Sequence, residues 1–71
     1  MLNELMISVN KIKKVSLFKL QNGLMTIEFN EKLKSYDIEI LNHHFKTDYN
    51  NIEVPIKLQN YYTIYFNFKN D

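Results

Sequence analysis

The only glycine of the chain lies in Gln21-Asn22-Gly23-Leu24, and no other feature restricts the fold as strongly. Asn-Gly is the preferred centre of a two-residue type I′ hairpin turn. Both positions need a positive φ, which Asn tolerates and Gly adopts freely. Closing the chain on Asn22-Gly23 sets Leu20 opposite Met25, Phe18 opposite Ile27 and Ser16 opposite Phe29. These six residues share one face, and five of them are apolar; Leu17, Lys19, Thr26 and Glu28 share the other. Turn chemistry and alternation therefore agree on a β-hairpin over about residues 15–29.

A second hairpin follows from alternation alone. In residues 52–58, Ile52, Val54, Ile56 and Leu58 alternate with Glu53, Pro55 and Lys57. In YYTIYFNF, residues 61–68, Tyr62, Ile64, Phe66 and Phe68 form one apolar row. A two-residue loop mixes the two faces. A three-residue loop, Gln59-Asn60-Tyr61, sets Leu58 against Tyr62, Ile56 against Ile64, Val54 against Phe66 and Ile52 against Phe68, so it is the preferred register for 52–68. Such a loop asks for a left-handed residue, a role that suits Asn60 better than Tyr61. Proline cannot donate to a ladder, so strand 52–58 should be a sheet edge or break at Pro55.

Between the hairpins two readings compete. Tyr36, Ile38 and Ile40 alternate with Asp37 and Glu39, as in a strand. A helix over 31–45, capped by Asn30, would gather Leu33, Tyr36, Ile40, Leu41 and Phe45, but it places Asp37 inside the apolar arc and Ile38 outside it. The strand is preferred on that ground, with 42–51 (NHHFKTDYNN) as a polar loop. The N-terminus fits a short helix through Leu2, Leu5, Met6 and Val9, or a strand through Leu5, Ile7 and Val9. No internal repeat is visible. The expected fold is a single β-rich domain, 1–71, of two hairpins with a third strand or a helix between them: all-β, or α+β of ββαββ type.

Seventy-one residues lie near the lower limit for a self-supporting core. An apolar fraction of 45% argues for a globular chain. With no cysteine, there is no disulfide, thiolate ligand or cysteine nucleophile. Phe, Tyr, Met, Ile, Asn and Lys make up 40 of the 71 residues, whereas Gly, Ala, Arg and Pro make up 2. That split follows AT-rich against GC-rich codons, which suits a phage or mobile-element accessory protein. No stretch approaches the roughly 18 apolar residues of a membrane span, and the N-terminal segment lacks the order of a secretory signal. A cytoplasmic location without membrane contact is the expectation.

Candidate chemistry is sparse. His43-His44 would need a bent loop to chelate together and has no third histidine or cysteine, so no metal and no cofactor are expected. Asp37 and Glu39 could form a carboxylate pair on one strand face, but a solvated face explains them equally well. Ser8, Ser16 and Ser35 have no evident nucleophile context, and an enzyme is not expected. Net charge is +1, distributed as +3 over residues 1–23, −3 over 24–54 and +1 over 55–71. Lys11, Lys13, Lys14 and Lys19 form the one basic cluster and support an alternative, a small β-barrel that binds single-stranded nucleic acid. Tyr61 and Tyr65 lie opposite the apolar row, where tyrosine suits a protein interface. With the acidic residues Glu28, Glu31, Asp37 and Glu39 they form the expected partner surface. The function read from this pattern is inhibition or modulation of a host protein, for example a defence nuclease, by surface occlusion; a homodimer is the third possibility.

Overall fold

The structure, a computed structural model, describes residues 2–69. They run α1 (Leu2–Ile12), β1 (Val15–Gln21), β2 (Leu24–Phe29), α2 (Ser35–Asp48), β3 (Lys57–Asn60) and β4 (Thr63–Asn67). The strands form one antiparallel sheet in the order β1-β2-β4-β3. β2 and β3 are thus parallel, with α2 crossing between them and β4 inserted, a split βαβ arrangement. The fold is α+β, with both expected hairpins present and helices on one face of the sheet.

The first hairpin forms on its own turn. Asn22 and Gly23 both take positive φ, 53° and 79°. Leu20 pairs with Met25 and Phe18 with Ile27 as the alternation requires. The expected Ser16–Phe29 pair is not formed. A bulge between Val15 and Leu17 sets Val15 opposite Phe29, and Ser16 instead donates from Oγ to the Glu28 carbonyl at 3.2 Å.

The second hairpin has a different register from the expected one. Its turn is the two-residue Tyr61-Tyr62, closed by Asn60 opposite Thr63, and Leu58 pairs with Ile64 rather than Tyr62. Asn60 is not left-handed. Its Oδ1 accepts the Tyr62 N–H at 2.8 Å, an Asx turn. Neither tyrosine takes a positive φ. A turn without positive φ splays flanking strands, and the bulge between Leu58 and Asn60 takes up the misfit. Of the outer pairs, Ile52–Phe68 survives as an isolated bridge. Pro55, after a cis peptide bond, interrupts the ladder, and β3 begins at Lys57 on the sheet edge, in line with the expectation for that proline.

The middle element is a helix, which corrects the preference for a strand over 36–40 and for a loop over 42–48. Its N-cap is Lys34, not Asn30. Asp37 does lie inside the apolar arc, and it is buried, but it is neutralised there: Oδ2 accepts the Lys34 N–H at 2.9 Å and pairs with Lys13 Nζ at 3.0 Å. Leu41 and Phe45 are fully buried, while Tyr36 and Ile40 are exposed. The N-terminal segment is also a helix, burying Leu5 and Val9.

Together these elements form two αββ units, α1-β1-β2 and α2-β3-β4, joined along β2 and β4 about the pair Thr26–Tyr65. Leu5 and Val9 in the first unit correspond to Leu41 and Phe45 in the second; Met25, Ile27 and Phe29 correspond to Ile64, Phe66 and Phe68. These ten residues are the centre of the core, with Phe45 and Phe66 in ring contact at 5.0 Å.

Candidate functional site

Because α1 and α2 cover the side of the sheet that carries Met25, Ile27, Ile64 and Phe66, no helix of the described residues covers the opposite face. Strand alternation puts Leu17 and Lys19 of β1, Leu24, Thr26 and Glu28 of β2, Tyr65 of β4 and Lys57 of β3 on that face. Tyr65 stands between Thr26 and Lys57 and is half-buried by them. Leu24, Thr26, Leu58, Gln59 and Tyr65 line one shallow depression of about 400 Å³. Leu24 is 41% exposed and Leu17, farther along the same face, 49%, whereas Leu58, paired with Ile64, belongs to the other side of the sheet and reaches the depression only at the β3 edge.

Tyr61 is placed differently from Tyr65. It lies in the β3–β4 turn, 69% exposed, with Lys32 Nζ 4.4 Å from its ring centroid. Its carbonyl accepts the Leu33 N–H at 2.7 Å, so the segment before α2 is docked on the turn. Tyr62, read as part of the apolar row, is exposed in the same turn, while Ile64, Phe66 and Phe68 are buried as expected.

The acidic residues do not form one surface. Glu28 is on the open sheet face, Glu31 is exposed 4.0 Å from Lys13, and Glu39 lies on α2 beside His43 and Thr47. Asp37 offers no free carboxylate. Burial alone raises its pKa; the Lys34 N–H bond, the hydrogen bond and charge of Lys13, and the charge of Lys34 outweigh that and hold the carboxyl below its usual range. The basic cluster is divided as well: Lys11 and Lys14 are exposed near the end of α1, Lys19 is on the sheet face, and Lys13 is committed to Asp37.

One arrangement had no signal in the sequence. His44 Nδ1 lies 2.8 Å from Asp48 Oδ2, one helical turn on, and its Nε2 lies 3.0 Å from Ser8 Oγ on α1. The distances and order are those of a Ser-His-Asp relay. The surroundings are not those of a nucleophile. Ser8 Oγ also contacts the Leu5 carbonyl at 3.0 Å and Tyr49 Oη at 3.3 Å, so its bonding capacity is filled within the helix pair. The depression that His44 and Asp48 line is bounded by Ile12, Glu39, Ile40, His43 and Thr47, without Ser8. An acyl-transfer site needs the hydroxyl aimed at bound substrate with donors for the oxyanion. The Ser8–His44–Tyr49 contacts instead join α1 to the end of α2, with His44 and Tyr49 edge to face at 5.5 Å.

Among the described residues, no group of three or more His, Cys, Asp or Glu side chains could hold a metal ion, and no helix is long and apolar enough to cross a membrane. No protein-family model matches the chain, and comparisons with curated proteins and with solved structures find no match.

Proposed function

We propose that this protein is a non-catalytic binding module that acts by occluding a surface of another protein, using the open sheet face. The observation that carries this reading is the row of exposed apolar side chains, Leu17 and Leu24 with Tyr65, on the side of the sheet that no described helix covers. Tyrosine and leucine in a shallow setting, with Lys19, Lys57 and Glu28 around them, match the apolar centre and polar rim of a protein interface. Tyr61 extends the contact at the turn. Asp37 is removed from the expected surface by its pairing with Lys13, and Glu39 by its place on the helical layer. The occluded partner would be a larger host protein such as a nuclease, a role that suits the AT-biased composition of a phage or mobile-element chain.

The test is affinity capture with the wild-type protein and a Leu17→Ser, Leu24→Ser, Tyr65→Ser variant, each with and without nuclease. Support would be a nuclease-resistant protein, held by the wild type and lost by a variant that keeps a cooperative unfolding transition, whose own activity falls when wild-type protein is added. Capture of nuclease-sensitive material alone would move the function to nucleic acid, and equal capture by both proteins would remove the sheet face from it. Labelling of Ser8 by a fluorophosphonate probe would overturn the non-catalytic reading; none is expected.

A further inference from the structure

The fold gathers charges that lie apart along the chain. At the end of the sheet where β1 begins and β2 stops, the Asn30 N–H donates to the Lys14 carbonyl at 3.0 Å and the Leu33 N–H to the Tyr61 carbonyl at 2.7 Å. Lys13 Nζ reaches Asp37 Oδ2 at 3.0 Å. Three stretches therefore meet there: 11–14 at the end of α1, 28–37 from the end of β2 into α2, and the 61–62 turn. They hold five of the nine lysines against three of the eight acids, so this end carries +2 and the rest of the chain −1. Lys13 and Asp37 offset each other beneath the surface. Lys14, Lys32 and Lys34 are exposed and in no ion pair among the described residues.

The same end carries the exposed tyrosines. Tyr61 and Tyr62 form the β3–β4 turn, and Tyr36 follows Lys34 by two residues on the first turn of α2; all three are exposed, whereas Tyr49 and Tyr65 are half-buried. Lys32 Nζ stands 4.4 Å from the Tyr61 ring centroid. With 69% of Tyr61 open to solvent, cation and ring form one exposed unit. The Leu33–Tyr61 bond keeps the two together, because it docks the segment that carries Lys32 on the turn that carries the ring.

We infer that this end binds single-stranded nucleic acid, with Lys14, Lys32 and Lys34 meeting phosphates while Tyr61 and Tyr36 stack on unpaired bases. Two features of the site select this occupant. Its charge is opposite to that of a phosphate backbone and is concentrated here, on a chain that is almost neutral as a whole. Its rings lie among the cations, and a flexible single strand presents a phosphate and a free base face at every nucleotide. An acidic peptide would use the lysines and leave the rings without a role. A duplex keeps its bases stacked on one another and offers none to a tyrosine. The site adds to the open sheet face rather than replacing it, since Tyr61 alone is common to both.

Fluorescence anisotropy with labelled oligothymidylate and oligouridylate of about 12 nucleotides tests the site on the whole protein. The two strands should bind alike, because phosphate and ring contacts do not read the sugar. Three lysine–phosphate contacts on a single strand give a log–log salt slope of about −2, so affinity should fall about twentyfold between about 50 and 200 mM salt. Lys32→Gln with Lys34→Gln should reduce the slope to about −0.7. Tyr61→Ala should weaken binding about tenfold at an unchanged slope. The Leu17→Ser, Leu24→Ser, Tyr65→Ser variant, if folded, should hold the strand as the wild type does, which separates failure of this site from failure of the sheet face. A slope unaltered by the lysine pair, or a hexaglutamate peptide bound as tightly as the oligonucleotides, would overturn the inference. So would an absence of binding at about 1 mM protein in low salt.

Discussion

The two αββ units share one order of elements but close their hairpins by different means. In the first, the turn is closed by its own residues: Asn22 and Gly23 supply both positive φ values, and the strands leave it in the register that buries Met25 and Ile27. In the second, the turn is two tyrosines with no special backbone, held by the Asn60 side chain and corrected by a bulge. Further tertiary bonds complete it, from Phe29 to Tyr62 and from Leu33 to Tyr61. The first hairpin is specified locally. The second is specified by the sheet that it joins.

The largest test of this contrast lies where the units share a core. Phe45→Ala removes the ring that meets Phe66 at 5.0 Å and should cost about 3–5 kcal/mol in urea unfolding. Slowed-exchange amides should be lost first from β3 and β4, whose pairing relies on that core, and last from the β1–β2 turn. Uniform loss in both hairpins would show that the first has no local stability of its own.

Next in size is the ion pair that joins the end of α1 to the start of α2. Asp37→Asn should cost about 2–3 kcal/mol at neutral pH, because Lys13 is left partly buried without its charge partner. The pH dependence has a definite sign. The folded carboxyl titrates below its ordinary value, so its stabilisation is present above the unfolded pKa, about 3.9, and is lost as pH falls through the lower folded value. The gap between wild type and Asp37→Asn should therefore narrow below about pH 4. A gap that stays constant in acid would mean that the carboxyl is not held as described.

The two turns can be compared directly. Gly23→Ala should cost about 1–2 kcal/mol through φ alone, since an added Cβ would meet the Phe68 carbonyl oxygen at an unstrained 3.8 Å. Asn60→Ala should cost about 1 kcal/mol, by losing one side-chain hydrogen bond. Smallest is Ser8→Ala, at about 0.5 kcal/mol, because His44 keeps Asp48. A much larger loss there would give the Ser8–His44–Asp48 chain a greater part in joining the helices than its exposed Asp48 implies.

The candidate surface was less legible than the fold. Strand alternation put Tyr65 opposite the core, and that is where it lies. Tyr61, read as a residue opposite the apolar row and as the last of a 59–61 loop, sits at the exposed first position of a turn that the observed register moves to 61–62. The acidic set was read as one segment, and the helix spreads it over different sides of the molecule. Ser8 and His44 gave no signal, being 36 positions apart on two helices whose packing no local pattern encodes.

What the residues settled by themselves is what depends on neighbours in the chain: the Asn22-Gly23 turn and its Leu20–Met25 and Phe18–Ile27 pairs, the buried row Ile64, Phe66 and Phe68, and the edge position implied by Pro55. Backbone dihedral preference and period-two alternation act over a few residues and can be read there. The tertiary structure decided the rest. Asp37 argued against a helix until Lys13, from another element, neutralised it. The turn at Tyr61-Tyr62 was set by the β2–β4 register and the docked segment before α2. A buried charge and a misfitting turn are both costly alone, and only long-range partners make them stable.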